Sequence, residues 1–277
     1  MPIKLIALDL DGTLFGDDLV IAPRTRKAIA DAQATGIIVT IATGRMFRSA
    51  RQIADDLNIA GPLICYQGAL IQDNTSEEIL LHKTVPITLA REVAATCAEM
   101  HLHLNVYTDD NLYVSEITPG ARFYAQINMD LPMNVVGDLD NWLDRDGQHE
   151  PTKLVIITEP EQTDSTLTTF TGLFGDRLQV TKSHPRFTEL TNRTSSKGRA
   201  LAILAGRYDV PQAQVMAIGD GYNDMDMIEW AGWGVAMATA PQVVRDVARI
   251  VSPPLSDDGS ADAIERYALS GPLTRGG

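Results

Sequence analysis

An almost unbroken apolar run, Ile3 to Leu10, closes in Asp9-Leu10-Asp11-Gly12-Thr13. A stretch this rich in Ile, Leu and Ala suits a strand buried on both faces of a parallel sheet. Side chains alternate along a strand, so Asp9 and Asp11 project to one side where the strand ends. Open α/β sheets bind ligands at the carboxyl ends of their strands. Two carboxylates placed there repel each other unless a cation or a proton lies between them. An ordinary Asp-Gly turn capped by Thr13 would also carry this pattern. By composition alone, however, the five residues should recur in about one chain of this length in a few hundred. At the end of an N-terminal buried strand chance is rarer still, and chemistry is the better reading.

The rest of the chain repeats the rhythm. Pro23 to Ala34 reads as a helix with Ala28, Ile29 and Ala32 on one face, and Gly36 ends it. Ile37 to Ile41 is a second buried strand, finishing in Thr43-Gly44-Arg45, and a helix from about Arg48 to Leu57 leads to a third strand, Leu63 to Tyr66. A hairpin turn is expected near Asp73-Asn74. This β-α-β-α-β order predicts a Rossmann-like parallel sheet with right-handed crossovers. Between residues 83 and 187 the pattern changes to mixed helices and closely spaced strands. Leu104–Tyr107 and Leu112–Ser115 flank Asp109-Asp110 as a hairpin, and Lys153–Thr158 and Leu178–Thr181 are strands around a Ser165–Phe174 helix. The parallel pattern returns with a helix, Lys197 to Arg207, a strand, Gln214 to Ile218, and a further strand, Trp233 to Met237. The expected architecture is therefore α/β: a core made of residues 1–82 and 188–277, with an inserted α+β cap domain at 83–187.

A chain of 277 residues is long for a single hydrophobic core, which agrees with two domains. The net charge of −13 disfavours nucleic acid and anionic membrane as partners. It also means that an anionic substrate needs a local cation. Cys65 and Cys97 sit in apolar stretches and read as reduced core residues. No run is long enough to span a membrane and the N-terminus lacks signal-peptide sections, so a cytoplasmic protein is expected.

A second acidic group, Gly219-Asp220-Gly221-Tyr222-Asn223-Asp224, follows the Gln214–Ile218 strand. One Asp or Asn there would be helix-start chemistry. Asp220, Asn223 and Asp224 together, with the first Asp pair, are better explained by a hard divalent cation such as Mg²⁺, which takes oxygen ligands. In Ser195-Ser196-Lys197-Gly198, a lysine in a first helical turn opposes the helix dipole, and glycine weakens the helix. Both choices cost stability, so the Lys197 ammonium is a candidate anion ligand. Thr43 and Gly44 offer a hydroxyl and backbone N–H groups at a strand end, which suits phosphate, and Arg45 is either a further cation or a surface ion-pair partner. His101, His103, His149 and His184 show no metal-ligand spacing and read as surface or core residues. Trp230 and Trp233 read as packing residues near the last strands.

A carboxylate nucleophile, a second acid, a hydroxyl, an ammonium and a Mg²⁺ site make up a phosphoryl-transfer apparatus. Asp9-Leu10-Asp11-Gly12-Thr13, Thr43-Gly44-Arg45, Ser196-Lys197-Gly198 and Gly219-Asp220-Gly221-Tyr222-Asn223-Asp224 occur in this order along essentially the whole chain. In these four motifs the chain resembles the haloacid-dehalogenase-like hydrolases, specifically the Cof-type phosphatases with a large α/β cap. The resemblance implies a Mg²⁺-dependent phosphatase acting on a small phosphorylated metabolite, such as a sugar phosphate, nucleotide or cofactor phosphate. It implies that Asp9 attacks phosphorus and Asp11 serves as acid and then base. It further implies that Asp9, the Asp11 backbone carbonyl and Asp220 hold the metal with support from Asp224, and that Leu10, Thr43, Gly44, Lys197 and Asn223 surround the phosphoryl group. Thr13 would orient the acidic loop. Gln67 and Thr239 depart from the family, which usually has Asn at both positions.

A dehalogenase of the same superfamily would not need Asp11, because a halide leaves without a proton. A receiver domain would not carry a long insertion, and an ion pump needs membrane spans. Two alternatives remain open at this stage: a phosphomutase of the same superfamily, and a non-catalytic metabolite-binding regulator. Oligomeric state is not legible.

Overall fold

The computed structural model describes residues 2–128, 131–145 and 150–270. Five strands run parallel in the order Ile250–Ser252, Trp233–Met237, Val215–Gly219, Leu5–Leu8, Ile38–Ile41. All four side chains of Leu5–Leu8 are buried, as the apolar run requires of a central strand covered on both faces. Leu8 pairs with Ile218 on one side and Ile41 on the other. Asp9, Gly219 and Ala42 therefore stand at one level at the carboxyl end of the sheet. The chain runs from Leu5–Leu8 outward to Ile38–Ile41, while strands from the C-terminal third lie on its other flank. That reversal is a topological switch point, where α/β sheets open a crevice.

The third strand departs from expectation. Pro62–Cys65 lies outside the five-stranded ladder and pairs antiparallel with Leu70–Asp73, in a three-stranded sheet completed by Ile79–His82. A single parallel bridge, Ala42 with Ile64, joins it to the main sheet. Pro62 has no N–H to give to a ladder, and its carbonyl accepts instead from the Thr40 hydroxyl at 2.7 Å. The helix Pro23–Ala34 buries Thr25, Ala28, Ile29 and Ala32, the spacing of one helical face.

By packing, the chain forms two compact units. One comprises residues up to Gly44, Ala50–Leu80, and the chain from Ser196 onward, and holds the parallel sheet. The other comprises Arg45–Ser49 and Leu81–Ser195. Its sheet has the order Leu178–His184, Phe187–Asn192, Lys153–Ile157, His103–Thr108, Asn111–Val114, Met133–Val135. All neighbours are antiparallel except the last pair. Asp109 and Asp110 both have positive φ, as a two-residue hairpin turn demands. Leu104, Val106, Leu154, Ile156 and Leu190 alternate onto one face and pack with Val93, Cys97, Trp142, Phe170 and Phe174 from the helices Ile87–Glu99, Leu139–Leu143 and Pro160–Phe174. The limit expected at residue 187 moves, because Phe187–Asn192 is hydrogen-bonded in the middle of this sheet. Among the described residues no helix is long and apolar enough to cross a membrane.

Candidate active site

Asp9 follows directly on its strand. Its N–H donates to Ile218 O at 3.0 Å, which continues the ladder one residue past Leu8 and fixes the backbone that carries the carboxylate. The side chain is buried. Lys197 is also buried, and its Nζ donates to Asp9 Oδ1 and to Asp224 Oδ1, each at 2.6 Å. The lysine is the first residue of the helix Lys197–Arg207, whose N-cap Ser196 accepts from Arg199 N–H at 3.3 Å. Gly198 N–H donates to Asp226 Oδ2 at 2.8 Å, tying that helix to the segment after the second acidic motif.

The second motif folds back on itself. Asp224 Oδ2 accepts from the N–H groups of Asp220 at 3.0 Å and Gly221 at 2.8 Å. With Oδ1 on Lys197, both oxygens of Asp224 are engaged, which suits a group that orients the loop. Asp220 Oδ1 accepts from the Thr13 hydroxyl at 3.1 Å. Thr13 O in turn accepts from Ser260 Oγ at 2.7 Å. Gly12 has φ +83°, and a Cβ there would lie 2.3 Å from Asp220 Oδ2, so the two acidic loops meet only because residue 12 has no side chain.

Three carboxylates and one ammonium leave two negative charges uncompensated if all are ionised. That repulsion acts on the carboxyl pKa values. Burial, then repulsion from Asp224, raise the Asp9 carboxyl well above its ordinary value, against the pull of Lys197. Burial and Asp224 push Asp220 up to about 7, while the Thr13 hydrogen bond and Lys197 oppose the rise. For Lys197, burial works against the ammonium, but Asp224 and Asp9 outweigh it and hold the group charged. One oxygen from each of Asp9, Asp220 and Asp224 lies within 4.8 Å of the others. An all-oxygen set with two surplus charges fits a hard divalent cation.

The remaining candidates distribute as follows. Asp11 is exposed on the loop, near enough for its charge to contribute to the Asp9 shift. Leu10 has a fully buried side chain, so any ligand contact falls to its backbone. Thr43 is buried beyond Ile38–Ile41, with its N–H on Ile64 O at 2.9 Å. Asn223 Nδ2 donates to Gln67 Oε1 at 3.0 Å, and Gly44 lies against the Gln67 amide. Arg45 belongs to the second unit, where Nη2 donates to Ile127 O at 3.4 Å. Thr239 is exposed. Asp226 and Ser260 escaped the sequence reading, because a lone Asp in a helix and a lone Ser in an Ala-rich segment carry no motif. Among the described residues the acidic trio is the one His/Cys/Asp/Glu group of this kind. His101 is exposed, His103 bonds Asn105 and Thr118, and His184 stacks on Phe187. His149 lies outside the described residues. Both cysteines are buried thiols. The Trp233 ring packs against Tyr267 and under Arg249.

A parallel α/β sheet with an acidic cluster and a buried lysine at its switch point is the framework of an α/β enzyme, and comparison with known proteins identifies which. Residues 6–264 match the family model described as haloacid dehalogenase-like hydrolase. The chain belongs to that family, as its four motifs implied, and is a hydrolase. YxeH of Bacillus subtilis, provisionally named a phosphatase, is 28% identical over 96% of this chain and 99% of its own length. The 5-amino-6-(5-phospho-D-ribitylamino)uracil phosphatase YcsE of the same organism is 29% identical over 96% of each chain. Among solved structures, a haloacid dehalogenase-like hydrolase from Bacteroides thetaiotaomicron superposes with TM-score 0.84 at 28% identity, covering 95% of this chain and 99% of that one.

Proposed function

We propose that this protein is a Mg²⁺-dependent phosphatase that hydrolyses small phosphorylated metabolites through an aspartyl-phosphate on Asp9. The observation that carries this reading is the Lys197 ammonium, held 2.6 Å from both Asp9 and Asp224 at the switch point, beside Asp220. A lysine so placed favours the ionised, nucleophilic form of the Asp9 carboxylate, against the burial and the neighbouring charges that raise its pKa. Asp9 and Asp220, with the Asp11 backbone carbonyl, would hold the metal, while Asp224 fixes the loop. Bound there, Mg²⁺ would supply the two positive charges that the cluster lacks and offset those of the phosphoryl oxygens.

Asp9 forms the oxygen–phosphorus bond as the ester bond breaks. Asp11 gives its proton to the leaving alkoxide and then takes one from the water that cleaves the acyl phosphate. Thr43, Gly44, the Leu10 backbone, Asn223 and Lys197 surround the phosphoryl oxygens. The decisive experiment is phosphate release from p-nitrophenyl phosphate and from a panel of sugar, nucleotide and cofactor phosphates. The panel should include the ribitylaminouracil phosphate named for the YcsE relative. Release in Mg²⁺ that chelator abolishes is expected. A purified, folded protein that releases none would leave a binding function, and isomerised sugar phosphate without free phosphate would mark a mutase.

Asp11→Asn should slow alkyl phosphates far more than p-nitrophenyl phosphate, since an aryl oxide needs little help from an acid. The ratio of kcat/KM between the two substrate types measures this, and equal losses would move the acid's role to another residue.

Asp220 sets a pH dependence of its own. Its folded-state value of about 7 lies above the ordinary 3.8, so below that range the metal-free fold carries it protonated at little cost. As pH rises from about 4 to about 7, the native state holds a proton that the unfolded chain has lost, and stability falls. Metal binding needs the ionised form, so apparent Mg²⁺ affinity should rise over the approach to pH 7. Thermal melts with chelator and with Mg²⁺, compared across pH 5 to 8, should therefore diverge as pH rises. Parallel curves would argue against Asp220 as a ligand.

A further inference from the structure

The segment linking Pro62–Cys65 to Leu70–Asp73 holds an expensive backbone. Tyr66, Gln67 and Gly68 have φ of +51°, +58° and +84° in succession. Two adjacent residues with side chains in the left-handed region are uncommon, and such strain persists only where surrounding contacts impose it. Glycine would serve a merely structural turn at position 67 at lower cost.

The contacts at Gln67 show what the conformation achieves. Its N–H donates to Thr43 O at 3.1 Å. Its Oε1 accepts from Asn223 Nδ2 at 3.0 Å. Its Nε2 lies so close over Gly44 that a Cβ there would come within 2.3 Å of it. The side chain is buried throughout. One residue thus engages the loop after Ile38–Ile41 with both backbone and side chain, and the loop after Val215–Gly219 through a single amide.

We infer that Gln67 is a positioning residue for the phosphoryl group, acting through Asn223 and the Thr43-Gly44 loop. This rests on the reading of Asn223 and Gly44 as ligands of phosphoryl oxygens. An asparagine amide has two N–H donors. Gln67 takes one, which stops rotation of the carboxamide and leaves the other in a fixed direction. A donor already oriented forfeits no rotamer freedom when the anion arrives. The close approach to Gly44 holds the second loop at the same level.

The test uses Gln67→Gly, which relaxes the backbone and removes the amide, and Gln67→Met, which keeps the bulk and loses the acceptor. Asn223→Ala and the double variant Gln67→Gly/Asn223→Ala complete the cycle. Inorganic phosphate binding is measured by calorimetry in Mg²⁺, together with kcat, KM and thermal midpoints. Gln67→Gly should melt no lower than the parent, yet both Gln67 variants should bind phosphate about tenfold more weakly, the scale of one lost hydrogen bond. The double variant should bind as Asn223→Ala does, within about twofold, because Gln67 acts through that residue.

Parent-like phosphate affinity in both Gln67 variants, or a full additive loss in the double variant, overturns the inference. So does weakened binding accompanied by a large fall in melting temperature in both variants, which would mark a structural role. If the parent itself neither binds nor releases phosphate, the functional reading fails first, and that result is separate from any behaviour of the variants.

Discussion

Asp9→Asn is expected to leave a folded protein with turnover reduced by roughly four orders of magnitude or more. Asn preserves the shape and can still accept from Lys197, so the packing at the end of Leu5–Leu8 has no reason to collapse. What it lacks is a nucleophilic oxygen. One carboxylate fewer also leaves less repulsion around Asp224 and Asp220, so the variant should unfold no more easily than the parent in chelator. Phosphate release and a thermal melt on the same preparation check both halves. A variant that turns over at near the parental rate would exclude the aspartyl-phosphate route.

The second large effect belongs to stability. Lys197→Met retains most of the volume but leaves the buried carboxylates of Asp9 and Asp224 without their shared cation, contacts of 2.6 Å each. Removing one partner of a buried ion pair typically costs about 3–5 kcal/mol. The loss should appear at pH 7 in chelator and shrink toward pH 5, as the orphaned Asp9 carboxyl, already raised by burial, takes up a proton in the folded state. Activity should disappear with it. Urea unfolding at the two pH values reads the difference. A variant within about 1 kcal/mol of the parent at pH 7 would show that the charges are compensated elsewhere.

Much of this was legible in the sequence where local chemistry and tertiary demand agree. The helices Pro23–Ala34 and Lys197–Arg207 and the strand Trp233–Met237 have the limits expected, because proline at a first helical position, a serine cap and a dense apolar run each act locally. The acidic motifs were readable for the same reason. The sequence leaves Phe187–Asn192 unassigned because Thr188, Glu189 and Thr191 break any apolar run. In the fold they are buried, with Glu189 on Lys153 Nζ at 3.2 Å across the sheet. The helix start at Pro160 was hidden by the polar run Glu161–Asp164, and the place of Pro62–Cys65 by an apolar pattern that cannot say which sheet a strand joins. Likewise the sequence named Lys197 and Asp9 as candidates separately. Only the sheet order brings together groups 188 positions apart.

That sheet order also sets a timetable for synthesis. The strand that carries Asp9 has Ile38–Ile41 on one flank, available soon after it emerges from the ribosome. Its other flank is filled by Val215–Gly219, made some two hundred residues later. Until then the nascent chain exposes an apolar strand edge, with Asp9 lacking its lysine and its acidic partners. The unit built from Leu81–Ser195, whose sheet is local in sequence, is complete by that time. Domains fold as they are made, and pairings between distant segments are slow and open to aggregation. Interrupted translation would therefore release chains that hold Asp9 and a folded insert but lack Lys197, Asp220 and Asp224, with a sticky edge that a quality-control system can recognise.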